Sequence, residues 1–132
     1  MKLSRSFRSI GWAVQVPPKY LDIQCVGMRH RVTPTTLREM EALCPLKVKF
    51  SREPQNIHDE NAIRVICNEK PWRDMHIGYV SRQTAAEIAP RIDTGRIELV
   101  GGYLDNVNDA NGSGAMRVEF VKAQQTSRKI AP

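Results

Sequence analysis

Apolar and polar residues alternate along this sequence in one short stretch after another. Leu46, Val48 and Phe50 fall on one side of an extended backbone, with Lys47, Lys49 and Ser51 on the other. Ile63, Val65 and Cys67 repeat the pattern, as do Ile97, Leu99 and the neighbourhood of Tyr103, and then Met116, Val118 and Phe120. Successive side chains of a strand point to opposite faces, so this period of two marks strands with one buried face. Leu21 to Met28 and Met75 to Val80 are two further apolar, β-branched runs, which brings the strand candidates to six. Asp105 to Gly114, containing Asn111-Gly112-Ser113-Gly114, is a loop joining the last two. Several short strands in a small chain must deal with their exposed edges, and closing the sheet on itself removes them. The expected fold is therefore mainly β, a small closed six-stranded β-barrel with two short α-helices.

The helices interrupt the strand pattern. Thr33 before Pro34 reads as an N-cap and first helical position for a helix to about Leu43, with Leu37, Met40 and Leu43 inward. A second helix is expected from Thr84, with Glu87 three residues on completing a capping box and Ala85, Ile88, Ala89 and Ile92 facing the core. Pro90 limits that helix to about two turns or kinks it. At 132 residues there is room for one core. It is expected over residues 20–122, between a basic arm (1–19) stiffened by Pro17-Pro18 and a polar, basic tail (123–132).

The net charge of +6 invites a polyanionic partner, but its distribution says otherwise for the body. Between Tyr20 and Lys122 there are fourteen Lys or Arg and fourteen Asp or Glu, which cancel. The excess resides in Lys2, Arg5, Arg8 and Lys19 in front and Arg128 and Lys129 behind. A groove for phosphate must then be a local patch. No stretch approaches the ~20 apolar residues of a membrane span. Met1 to Val16 has a basic front, but Gly11 and Gln15 interrupt its apolar part and no small-residue cleavage site follows, so an intracellular, cytoplasmic home is expected. Cys25, Cys44 and Cys67 are widely spaced and form no C-x-x-C, so they read as small buried hydrophobes. His30, His58, His76 and Asp59 match no metal-binding spacing, and no nucleophile elbow or phosphate loop is present. Neither metal, cofactor nor catalytic activity is expected.

The most informative stretch is Phe50-Ser51-Arg52-Glu53-Pro54-Gln55-Asn56-Ile57-His58-Asp59-Glu60-Asn61-Ala62-Ile63-Arg64-Val65. It resembles the central signature of HIRAN domains: a strand, Arg-Glu-Pro, then Asn-x-aromatic-Asp-x-Asn-Ala-Ile-x-Val. Upstream, Val26-Gly27-Met28-Arg29-His30 resembles the end of that family's first strand. Downstream, Ile77-Gly78-Tyr79-Val80-Ser81-Arg82, with Ala85, Ala86 and Ile88, resembles its Ile-Gly-Tyr-Val-Pro-Arg strand and following helix. The three pieces come in the family's order, and the resemblance covers roughly residues 21–122. This chain differs in carrying Ile57 and Ser81 at two proline positions and His30 and His58 at two aromatic ones.

The resemblance implies a six-stranded barrel related to OB folds. It also implies a module that captures the 3′ end of single-stranded DNA, as in fork-remodelling helicases, or that stands alone in bacteria or phage. Here a helicase or nuclease partner would supply the chemistry. By the same resemblance, Arg29 forks onto a phosphate and His30 stacks on a base. Asp59 accepts a hydrogen bond from the terminal hydroxyl, and Arg82 neutralises a second phosphate. Asn56, His58, Tyr79 and Phe120 shape the pocket. From the residues alone, Asn56 and Asp59 to Asn61 read equally well as turn caps, and Arg29 and Arg31 as solvated charges. Trp72 and Tyr103 read as core or rim packing. Two other functions stay open on sequence: a protein-interaction barrel with no DNA contact, and a metal-dependent phosphodiesterase.

Overall fold

The computed structural model describes residues 19–123. Six strands follow in chain order: β1 (Lys19–Val26), β2 (Leu46–Arg52), β3 (Ile63–Cys67), β4 (His76–Val80), β5 (Ile97–Leu104) and β6 (Gly114–Lys122). They form a closed antiparallel barrel in the order β1-β4-β3-β2-β5-β6. Helix α1 (Pro34–Leu43) lies between β1 and β2, and α2 (Arg82–Asp93) between β4 and β5. The fold class read from the alternation is the one observed. Except for Lys19 and Ala123, the arm and tail expected at 1–19 and 123–132 lie outside the described residues.

The inward residues of every strand meet in one core that includes Ile23, Val48, Val65, Ile77, Leu104, Met116 and Val118. Leu37 and Met40 of α1 and Ala85, Ile88 and Ala89 of α2 join it. Removing this much apolar surface from water is what holds the barrel against the entropy of the chain. Among the described residues no helix is long and apolar enough to cross a membrane.

Four local expectations need correcting. The first strand does not reach Met28: Gly27 adopts a left-handed φ of 75° and turns the chain out of the sheet into a single 3-10 turn, Met28–His30. Leu43 does not face inward; it sits at the last position of α1 and is 55% exposed. Helix α2 starts at Arg82, not Thr84. Ser81 follows the end of β4 directly, its carbonyl accepts from Ala85 N at 2.9 Å, and its hydroxyl bonds Thr84 Oγ1 at 3.1 Å. The Thr84–Glu87 pair therefore lies inside a helix already begun. That helix also runs through Pro90 to Asp93, because its buried face holds it against the barrel. The cap on α1 is as expected, with Thr33 Oγ1 accepting from Thr36 N at 3.2 Å.

The barrel closes where β1 meets β4, through only Cys25–Val80 and Val26–Tyr79. Gly78 faces this seam. A Cβ there would stand 2.7 Å from Cys25 Sγ and 2.7 Å from the Val26 carbonyl oxygen, and backbone cannot swing aside as a flexible side chain can. Gly78→Ala is therefore expected to destabilise the domain by about 1–3 kcal/mol, the range for overpacking a tight interior. A lower urea midpoint with an unchanged slope is the signature to look for.

Candidate nucleic-acid interface

A cleft of about 280 Å³ opens beside the seam, lined by Val26 of β1, Tyr79 and Val80 of β4, Arg82 of α2, and Asn56, His58, Asp59 and Ala62 of the β2–β3 loop. Five of the eight residues named from the sequence thus meet in one place: Asn56, His58, Asp59, Tyr79 and Arg82. Arg29 and His30 do not line this cleft. They are exposed on the 3-10 turn, and the Arg29 Nη1 donates to the Ala110 carbonyl at 3.2 Å. Phe120 is elsewhere. It is 8% exposed, belongs to the core, and pairs with Lys19 and Leu99 at the other end of β1 from Val26.

The β2–β3 loop is short of regular structure yet extensively bonded. Asn56 Oδ1 accepts from the backbone N–H of His58 at 2.8 Å and of Asp59 at 3.0 Å, and Asp59 Oδ1 accepts from Asn61 N at 2.9 Å. These are the turn contacts that Asn and Asp make with nearby backbone, so the turn reading of these residues is correct. It does not exhaust them. Asp59 Oδ2 points toward Arg82, 3.8 Å from its Nε, and the carboxylate keeps part of its surface in solvent. Arg82 donates Nη2 to the His58 carbonyl and leaves most of its side chain exposed. A carboxylate that accepts and a guanidinium that donates therefore stand side by side in one cleft, with the Tyr79 ring on its wall.

Two residues that carry this arrangement were not singled out from the sequence. Arg52 ends β2 and forks onto Asp93 of α2, with Nε–Oδ1 and Nη2–Oδ2 both 2.8 Å. It also donates to the carbonyls of Ala62 at 2.7 Å and Glu60 at 3.1 Å, so one guanidinium ties the far end of the loop to the helix. Glu53 Oε1 accepts from Asn56 Nδ2 at 2.9 Å and from the Tyr79 hydroxyl at 2.8 Å. Those two bonds hold its carboxyl below the usual carboxylate range; burial, then the bond to Glu53, raises the Tyr79 phenol. The available signal for both was their place in the Arg-Glu-Pro segment, but a hydrogen-bond partner many residues away has no trace in local pattern.

The other side of the 3-10 turn is walled by the β5–β6 loop. Gly112 has a φ of 70°, and a Cβ there would meet Arg29 N at 2.7 Å, while its carbonyl accepts from Met28 N at 2.9 Å. Asn108 and Asn111 fold the loop by accepting from backbone N–H groups. A second cleft of about 360 Å³ lies at the β2–β5 side, lined by Phe50, Ile63, Ile92, Ile97, Glu98 and others. Its one cation, Arg52, is already committed to Asp93. Among the described residues no three His, Cys, Asp or Glu are grouped to hold a metal ion. Burial pushes the Cys25 thiol up to about 12 and, with Asp105 and Glu41 adding, Cys44 up to about 11, so neither is a thiolate at neutral pH.

A family model described as the HIRAN domain matches residues 19–121. The chain belongs to the HIRAN domain family. An Arabidopsis thaliana SWI/SNF-related matrix-associated actin-dependent regulator of chromatin, subfamily A member 3-like 1, is 36% identical over 76 residues, which are 58% of this chain and 7% of that protein. This HIRAN chain thus spans a small fraction of that relative's length. The crystal structure of the HIRAN domain of human HLTF superposes with a TM-score of 0.60 at 20% identity, covering 84% of this chain and 81% of that one. A Lactobacillus plantarum protein gives 0.59 at 22% identity, covering 80% of this chain and 98% of that one. The NMR structure of the HLTF HIRAN domain in its DNA-bound conformation gives 0.50 at 20% identity, covering 84% and 80%. At these identities the likeness is one of fold.

Because the folded carboxyl of Glu53 titrates below its unfolded value, ionised Glu53 stabilises the loop above about pH 4.3. That contribution fades as pH falls through the lower folded value. In Glu53→Gln the acid dependence of the amide resonances of residues 56–61 should flatten, and the Tyr79 phenol should titrate lower, both measured by NMR.

Proposed function

We propose that this domain binds single-stranded DNA by its free 3′ end, performs no chemistry itself, and delivers that end to a helicase or nuclease partner. The observation that carries the reading is the Asp59–Arg82 pair in the cleft. A phosphate beside an isolated carboxylate is repelled, whereas a guanidinium next to that carboxylate offsets the repulsion and takes the phosphate itself. Asp59 Oδ2 is then free to accept the hydrogen of a terminal hydroxyl. A 3′-phosphate or a continuing strand offers no such hydrogen and adds negative charge at that point. Tyr79 and His58 supply ring faces for the terminal base, each stacking interaction contributing about 1–3 kcal/mol. Arg29 and His30, on the adjacent turn, serve the strand outside the cleft. Membership of the HIRAN family and the DNA-bound state of the HLTF domain support the same ligand.

The competing reading is a protein-interaction barrel, favoured by the formal neutrality of residues 20–122. Fluorescence anisotropy on short single strands separates the two. Strands with a free 3′-hydroxyl should bind more tightly than those with a 3′-phosphate or than a closed hairpin. With two to four phosphates neutralised, log affinity should fall with log salt at a slope of about −1.4 to −2.8. Asp59→Ala is expected to erase the preference for the free hydroxyl by raising binding of the blocked strand, and Arg82→Ala to weaken both about tenfold. Equal affinity for all three ends, lost at modest salt, points instead to the terminal arms and to a protein partner.

A further inference from the structure

Tyr79 lines the cleft, and its ring also meets His76, with ring centroids 4.8 Å apart and planes at 80°. The β3–β4 ladder places Arg64 opposite Tyr79 and Ile66 opposite His76, with a bulge between Val65 and Ile66. Arg64 lies between the buried Ile63 and Val65, so its side chain leaves the core and shares the outer face of the barrel with Tyr79. Arg64 Nη2 donates to Ser51 Oγ at 3.1 Å, and its Nε is buried with no hydrogen-bond partner. Arg31 closes the 3-10 turn that packs on β4, and it is exposed. Among the described residues neither Arg31 nor Arg64 forms an ion pair.

Arg31 from the turn, Arg64 from β3 and Glu53 from the β2–β3 loop all act on His76 through their charge. Burial first, and then Arg31, lower its proton affinity, with Arg64 adding to the effect. The bond to the Gly78 carbonyl and the charge of Glu53, whose carboxylate is bonded to Asn56 and Tyr79, act in the opposite direction. The His76 Nε2 lies 2.9 Å from the Gly78 carbonyl and donates to it, which leaves Nδ1 as the nitrogen that gains a proton. Two guanidiniums outside any ion pair among the described residues, one with a buried unpartnered Nε, and a histidine whose proton affinity both lower make a site that an oxyanion would complete.

We propose that Arg31, Arg64 and His76 form a second phosphate subsite on the outer β3–β4 face, taking an internucleotide phosphate of the strand whose end occupies the cleft. The inference rests on the DNA-end reading above and adds the path of the strand: from the cleft, over Tyr79, to the outer face of β4. A phosphate placed there offsets the two arginine charges that discharge His76. The imidazole then takes up a proton on binding, and affinity rises as pH falls.

The test uses the full chain and two oligothymidylates with free 3′ ends, a dinucleotide and a decanucleotide. Arg31→Gln, alone and combined with Arg64→Gln, should reduce the salt slope for the decanucleotide by about 0.7, one phosphate, and its affinity roughly fivefold at 0.1 M salt. Binding of the dinucleotide, and the preference for a free over a blocked end, should be unchanged. In ¹⁵N NMR of the wild-type chain, the His76 imidazole should titrate at higher pH with the decanucleotide than without it. An unchanged slope in the double variant together with an unmoved His76 titration overturns the subsite while leaving end binding intact. A wild-type chain that binds neither oligonucleotide overturns the DNA-end reading, and the subsite with it. Arg31→Gln, an exposed position with no described partner, keeps the test informative if Arg64→Gln disturbs the barrel.

Discussion

The barrel is joined by a seam two residue pairs long, and the cleft sits on it. Strand β1 pairs with β6 over seven positions but with β4 over only two before Gly27 turns the chain away. A longer seam would have carried Met28 and Arg29 along the sheet and buried the edge of β4. The early exit leaves Val26, Tyr79 and Val80 as one wall of an open cleft and lifts Arg29 to Arg31 onto its flank. Gly78 makes the short seam possible by letting the Val26 carbonyl come within reach of β4. A backbone requirement in the core and the presence of a binding cleft are thus the same geometric fact.

The other wall is a loop, and loops order their functional groups only where something holds them. Here two neighbouring side chains do so from opposite directions. Arg52, at the last position of β2, reaches Asp93, Ala62 and Glu60, and so fixes the distance between the loop's end and α2. Glu53 reaches Asn56 and Tyr79, and so fixes the loop's start against β4. Charge-assisted bonds of this kind are the stronger ones in proteins, and those to Asp93 and Tyr79 join elements distant in sequence. Asp59 and Arg82 are then set beside each other by their supports more than by their own weak contact at 3.8 Å, a separation that leaves both groups available to a ligand.

The strands were legible because a half-buried strand writes its environment into every second residue. Leu46, Val48, Ile63, Val65, Met116 and Val118 all face the core as their alternation implies. Five of eight site residues converge because the motif around Asn56 to Asn61 and the segment Tyr79 to Arg82 border the same seam. What the pattern did not show depended on geometry that no local pattern records. Phe120 continues the inward series of β6 and was already accounted for by the core. Arg29 follows Gly27, whose left-handed φ redirects everything after it. The helix start at Arg82 was masked by a capping pattern beginning two residues later, because the connection from β4 left no room for a loop. Arg52 and Glu53 act through partners as far as 41 and 26 positions away.

Formal neutrality of the body is compatible with an anionic ligand once the pairing of charges is considered. Asp93 and Asp74 are each held in a close ion pair, by Arg52 and Lys49. Those cations are thereby withdrawn from any phosphate. Around the seam, Arg31 and Arg64 form no ion pair among the described residues, Arg82 meets Asp59 only at 3.8 Å, and Glu53 is the carboxylate that stands among them, bonded to Asn56 and Tyr79. A potential at a surface is set by charges within about a Debye length, roughly 8 Å in physiological salt, and not by the sum over the molecule. A domain with equal numbers of both signs can therefore present a local cluster of guanidiniums where its barrel closes.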